Sequence, residues 1–267
     1  MYRIALCQII QTTDKNRSME RAARAVGDAA RAGAGVVSLP EIWNAPYDVK
    51  ILREFAEPAG GPSFIFMSEL AKRHGIYLVG GSIPEEDRSK MYNTSFVFDP
   101  DGKLIARHRK SRLYDVDIEN GPRFKESDFF TAGEDVTLVD TEYGRIGISI
   151  CFELRFPELF REMNRAGAHI VFVPAVFNVT TGAAHWDTLI KSRALDNQMY
   201  VAVCGPARDI DASYISWGHS CVATPWGEYC ASTDARETIV YADIDVDYVN
   251  KIRMQIPIGN QPSGSIT

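Results

Sequence analysis

Three residues of different chemistry occupy the same kind of place along the chain. Glu41 follows the apolar run VVSLP, Lys110 follows LIARHR, and Cys151 follows IGISI. Each stands where a strand-like run gives way to a loop, and open α/β sheets collect their reactive groups at such ends. A cysteine there is available as a nucleophile, and a carboxylate can take its proton and return it to a leaving group. A lysine can stabilise the oxyanion that forms when a thiolate attacks a carbonyl. A cysteine at a helix start also meets unpaired backbone N–H groups that favour thiolate, and the N–H of Phe152 is a suitable second donor. Taken singly, each residue has a bland explanation: a core thiol, a helix-start carboxylate, a solvated edge lysine. Together they fit acyl transfer.

Other chemistries fit less well. A Cys–His site needs a histidine partner, and the five histidines are His74, His108, His169, His185 and His219. His74 sits at a helix end and His169 at a strand start, where structural roles are the default. His185 and His219 stay open, yet no cysteine-protease signature surrounds Cys151. No H-x-H, H-E-x-x-H or paired Asp/His cluster suggests a metal. The Gly-rich stretches Ala59–Gly61 and Val79–Ser82 lack nucleotide-loop spacing, so no cofactor is expected.

The elements that must position these residues alternate along all 267 residues. Strands are expected at 2–9, 36–39, 76–83, 92–98, 104–108, 136–140, 145–150, 169–174, 200–204, 221–224 and 238–244. Helices are expected at 16–32, 62–74, 157–165, 185–197 and 247–254. DPDG (99–102) reads as a hairpin turn. No linker or repeat intervenes, so the reading is one α/β domain over 1–267, with a loose or docking tail from about 256. The stretch 113–133 has no clear periodicity, and so long a loop is more often functional than idle.

Gross composition narrows the class of protein. Hydrophobic residues make up 45% and the net charge is −6, which argues against nucleic acid as a partner. The basic stretch RHRKSR (107–112) is short and reads as a solvated or anion-facing strand end. No run approaches the roughly 18 apolar residues of a membrane span, and MYRIALCQII reads as a strand rather than a signal peptide. Five cysteines without a C-x-x-C pair point to a reducing compartment, most simply the cytoplasm, with a mitochondrial pool left open.

The motifs in order, YRIALCQ, SLPEIWNAPY, GGSIPE, YNTSFVFDPDGKLIARHRK, GRIGISICFELRFPE, KSRALDNQMYV and WGHSCVATPWGE, resemble the nitrilase superfamily of carbon–nitrogen hydrolases over nearly the whole chain. The stretches YDVDIENGPRFKES, VFNVTTGAAHWDTLIKSRALDNQ, GPARDIDASYISWGHS and IRMQIPI are most similar to its omega-amidase branch. That resemblance implies an α-β-β-α sandwich that stacks into a longer layered sandwich on dimerisation, as a homodimer or higher homo-oligomer. It implies hydrolysis of the terminal amide of 2-oxoglutaramate or 2-oxosuccinamate through a cysteine thioester. By position it makes Glu41 the base, Lys110 the oxyanion donor, Cys151 the nucleophile and Glu126 a second active-site glutamate.

Such a substrate carries a far carboxylate. Arg155, four residues past Cys151, offers a planar fork to hold it, with pairing to Glu153 or Glu158 as the structural alternative. Tyr47 and Thr181 match pocket-lining positions of the branch, and Phe177 suits an apolar wall. The branch commonly carries histidine two residues after the lysine, where this chain has Arg112, which could also grip a carboxylate. The other readings are another amidase of the superfamily, acting on N-carbamoyl amines or aliphatic amides, and a non-catalytic binding relative.

Overall fold

The computed structural model describes residues 1–48, 50–119, 123–134 and 136–258. In chain order the elements are β1 (Tyr2–Gln8), α1 (Lys15–Arg31), β2 (Val36–Ser38), α2 (Pro62–His74), β3 (Tyr77–Val79), β4 (Ile83–Asp87), β5 (Lys90–Phe98) and β6 (Leu104–Arg109). Next come β7 (Asp115–Asp117), β8 (Arg123–Lys125), β9 (Thr137–Thr141), β10 (Gly144–Ile148), α3 (Pro157–Arg165), β11 (Ile170–Pro174) and α4 (Val179–Asn197). β12 (Tyr200–Cys204), β13 (Cys221–Ala223), β14 (Tyr229–Ser232), β15 (Thr238–Ile244) and α5 (Val246–Gln255) complete the series.

Among the described residues the strands form two large sheets. One is seven-stranded, β15-β1-β2-β3-β5-β4 with β6 on β5, and the other six-stranded, β14-β13-β12-β11-β10-β9. Strand period 2 decides what lies between them. Ile4 and Leu6 of β1 meet Ile146 and Ile148 of β10, Phe172 and Ala202 in a shared inter-sheet core. The alternate residues Ala5 and Cys7 face α1 and α2 instead, with Val37, Leu78, Phe96 and Phe98. On the far side Val171, Val173, Val201 and Val203 pack under Phe160 and Met163 of α3 and Trp186 and Ile190 of α4. This is the expected α-β-β-α sandwich. The last strand closes the first: β15 runs antiparallel to β1 from Tyr2↔Ile244 to Gln8↔Thr238.

Three expectations change. The strand expected over 76–83 is two strands, β3 and β4, broken at Gly80 and Gly81. Gly81 has φ +61, and a Cβ there would fall 2.1 Å from the Pro40 carbonyl oxygen, so this chain crossing presses directly on the turn that carries Glu41. The helix expected at 185–197 begins six residues earlier, because the Asn178 side chain caps it by accepting from the Thr181 N–H. The aperiodic 113–133 stretch contains the β7–β8 ribbon and a 3-10 turn at Glu126–Asp128. The tail expected from about 256 lies, from 259 onward, outside the described residues.

Candidate active site

Three charged side chains, each fully buried, meet between the sheets. Lys110 Nζ lies 2.9 Å from Glu41 Oε1 and donates to Glu126, whose Oε1 and Oε2 are 3.1 and 2.9 Å away. Glu41 Oε1 also accepts from Asn93 Nδ2 at 2.8 Å, and its Oε2 from the Val176 N–H at 2.7 Å. Glu126 takes further bonds from the Tyr47 hydroxyl at 3.2 Å, Asn93 Nδ2 at 3.2 Å and the Tyr114 N–H at 2.6 Å. Burial pushes the Glu41 carboxyl above the usual carboxylate range; Lys110 opposes this, and the Glu126 charge adds to it. Burial alone would lower the Lys110 pKa, but Glu126 and Glu41 outweigh it and hold the ammonium charged.

Cys151 sits opposite, 4% exposed, with its thiol 3.5 Å from the Val176 carbonyl oxygen. Its φ is +48, a left-handed conformation that costs an ordinary residue about 1–2 kcal/mol. Ile42, directly after Glu41, has φ +49, which is more unusual still for a β-branched side chain. The backbone is thus strained at both ends of the Glu41–Cys151 pair. Gln11 Nε2 holds the first turn by bonding the Glu41 and Ile42 carbonyls, and Ser82 Oγ accepts the Ile42 N–H.

The expectation of a thiolate favoured by a helix start is overturned. Cys151 opens a 3-10 turn, Cys151–Arg155, and α3 starts only at Pro157. One such turn lacks the aligned peptides of a macrodipole. Burial and then the Glu41 charge raise the thiol well above its ordinary value, with Lys110 opposing. Glu41 and Cys151 are thus both shifted upward, so the thiol keeps its proton until it is taken by a base.

A small hollow of about 10 Å³, room for about one water, lies over Cys151, lined by Tyr114, Phe152, Arg155, Val176, Phe177, Thr181 and Tyr214. Four sequence candidates therefore line it with the thiol: Phe152, Arg155, Phe177 and Thr181. The Arg155 guanidinium lies 5.6 Å from the ring centres of both Phe152 and Phe177, and hydrogen-bonds His185 Nδ1 at 3.1 Å. It makes no ion pair among the described residues, so the suggested pairing with Glu153 or Glu158 is absent. The Phe152 N–H has no protein acceptor among the described residues. Two candidates lie elsewhere. Tyr47 is buried against Glu126 rather than lining the hollow, and Arg112 lies over the Phe156 ring at 5.4 Å and does not line it either.

Sequence reasoning missed Asn93, Val176, Tyr114, Tyr214 and above all Glu153. Asn93 bonds both Glu41 and Glu126, and its only sequence signal was its place on β5 beside the strand that ends at Lys110. Val176 contributes backbone alone, which no side-chain pattern reveals. No group of three or more His, Cys, Asp or Glu that could hold a metal occurs among the described residues, and no described helix is long and apolar enough to cross a membrane.

A layered α-β-β-α sandwich with a buried glutamate, lysine and cysteine between its sheets defines a carbon–nitrogen hydrolase. The sequence matches that family over residues 3–254, and the chain belongs to it. The chain is 46% identical over 260 residues to omega-amidase NIT2 of Homo sapiens, covering 97% of this chain and 94% of the relative. It is 47% identical to hydrolase C26A3.11 of Schizosaccharomyces pombe, over 97% of this chain and 81% of that one. Among solved structures, Saccharomyces cerevisiae Nit3, a member of branch 10 of the nitrilase superfamily, superposes with a TM-score of 0.90 at 39% identity, covering 97% and 96% of the two chains.

Proposed function

We propose that this chain, as one hydrolase domain, is an omega-amidase that releases ammonia from the terminal amide of 2-oxoglutaramate or 2-oxosuccinamate. The observation that carries the reading is the Arg155 guanidinium, which makes no ion pair among the described residues, in the same small hollow as Cys151, whose neighbour Glu41 pairs with Lys110. A dicarboxylate monoamide needs such a cation for its far carboxylate and a thiol at its amide carbon. The omega-amidase relatives support the same substrate class.

In this reading the Cys151 thiol gives its proton to Glu41 as sulfur attacks the amide carbon. Lys110 Nζ and the Phe152 N–H stabilise the oxyanion. The C–N bond breaks as Glu41 returns the proton to nitrogen, and ammonia leaves a thioester. Glu41 then takes a proton from water, the hydroxide attacks the thioester, and the proton goes back to sulfur as the acid departs. Glu126 holds Lys110 beside Glu41, sharing Asn93 Nδ2 with it, and takes a bond from the Tyr47 hydroxyl. The proposal extends to a cytoplasmic homo-oligomer; the free thiols of all five cysteines suit a reducing compartment.

Ammonia release is measured with 2-oxoglutaramate, N-carbamoyl amines and simple aliphatic amides, for the wild type and Cys151→Ala. The expected result is a clear preference for 2-oxoglutaramate, with turnover abolished in a folded Cys151→Ala protein. A better kcat/KM on another amide class overturns the omega-amidase reading. Retained turnover in the variant overturns the nucleophile.

A further inference from the structure

Glu153 is as buried as the three charged residues of the site, yet it does not line the hollow over Cys151. Five hydrogen bonds converge on its carboxylate. Oε1 accepts from the Ser111 N–H at 2.7 Å and the Ser111 hydroxyl at 2.6 Å. Oε2 accepts from the Ile150 N–H at 2.6 Å, the Ser149 hydroxyl at 3.1 Å and His108 Nε2 at 2.9 Å. The donors come from two places. His108 and Ser111 flank Lys110 at the end of β6, in the seven-stranded sheet; Ser149 and Ile150 lead into Cys151 at the end of β10, in the six-stranded sheet.

Burial works to raise this carboxyl, but His108 and Ser111 overcome it and hold it down at about 2. Glu153 is therefore ionised at neutral pH and only accepts, so His108 Nε2 carries a proton. The other ring nitrogen, Nδ1, is 2.9 Å from the Thr137 hydroxyl on β9. A carboxylate so saturated is rigid, and its donors are backbone groups and short side chains with little freedom of their own.

We propose that Glu153 is the positioning residue for both Cys151 and Lys110, setting the separation of thiol and ammonium by gripping the chain beside each. The proposal rests on the reading of these two residues as nucleophile and oxyanion donor. Each lies on a different sheet, so without a bridge their spacing depends on how two large faces pack. Glu153 fixes it locally, one residue from each. It also ties down the strained turn at Cys151, whose positive φ needs support from its surroundings. A displacement of about 1 Å is enough to cost roughly 100-fold in rate, while Arg155 and Phe177, which line the hollow and make no bond to Glu153, leave substrate affinity largely intact.

The test compares wild type, Glu153→Gln, Glu153→Asp, Ser111→Ala and His108→Gln. The measurements are kcat and KM for ammonia release, the rate at which iodoacetamide alkylates Cys151, and thermal unfolding. A glutamine amide turns an N–H group toward donors that need an acceptor. Glu153→Gln is expected to lower kcat about 100-fold with KM within about threefold, and to change the alkylation rate in the folded protein. Glu153→Asp, which keeps the charge, recovers part of the loss. Unchanged kcat in folded Glu153→Gln overturns the proposal, as does a loss carried wholly by KM. Should Glu153→Gln not fold, Ser111→Ala and His108→Gln decide: reduced kcat at wild-type melting temperature supports it, and wild-type kcat in both overturns it. If wild type turns over no amide at all, the omega-amidase reading has failed, and the alkylation rates still report whether Glu153 places the thiol.

Discussion

Glu41 and Glu153 are both fully buried, both sit where strands end, and both touch the elements that carry Cys151, yet their carboxyls are pushed in opposite directions. Glu153 is pulled down to about 2, whereas Glu41 is pushed up. Glu153 faces donors alone, five of them. Glu41 has Lys110, Asn93 and the Val176 N–H, but it also faces the Glu126 charge and the thiol. Burial penalises both; the difference lies in what surrounds them. A carboxylate that must hold chain in place is satisfied completely. One proposed to accept and release a proton is left partly unsatisfied.

The contrast can be broken most sharply at Glu41. Glu41→Gln is expected to lower kcat/KM by roughly 10²–10⁴, the usual range for a lost general base. It should leave melting little changed, since Lys110 keeps Glu126 as partner; steady-state assays beside a thermal melt read both. Lys110→Met acts on stability instead. It leaves Glu41 and Glu126 facing each other without their cation, at a cost of about 3–5 kcal/mol in urea unfolding, and a loss below about 1 kcal/mol would show that these charges are not mutually dependent.

Acid unfolding gives the smallest effect and separates the two glutamates by sign. The folded-state pKa of Glu153 is depressed from 4.5 to about 2, so its contribution is present above pH 4.5 and disappears as pH falls toward 2. That shift corresponds to about 3 kcal/mol. Glu41 is raised, so its protonation favours the folded state as pH falls toward 4.5 and adds no further change below it. The stability curve of a folded Glu153→Gln protein between pH 4.5 and 2.5 should therefore be flatter than wild type, whereas Glu41→Gln should run parallel to wild type there and differ only above pH 4.5, where wild type loses stability as Glu41 ionises. Parallel curves for the two variants would erase the distinction.

The difference also marks what a sequence can reveal. Glu41, Lys110 and Cys151 announce themselves because each ends a strand-like run, and the motifs around them extend to Glu126. Glu153 is equally central but reads as a neighbour for Arg155, since its five donors come from segments near 108–111 and 149–150 that meet only after the sheets pack. Asn93 is hidden for the same reason. The positive φ values at Ile42 and Cys151 leave no trace, because neither residue type prefers them. Gly80 and Gly81 did carry a signal for the break between β3 and β4, overridden by the apolar residues on either side. Asn178 signalled the true start of α4, but Val179 and the two threonines after it look more like strand than helix.

The pairing of β1 with β15 has a consequence for synthesis. β1 is almost wholly apolar, and one of its edges finds β2 soon after it emerges, but the other waits for residues 238–244. The wait is about 230 residues of further translation, roughly 10 to 50 s at ordinary ribosomal speeds. Throughout that interval a nascent chain carries an open strand edge, a template for pairing with another chain. The closing strand that completes the sheet is thus also the end of the chain's most vulnerable period.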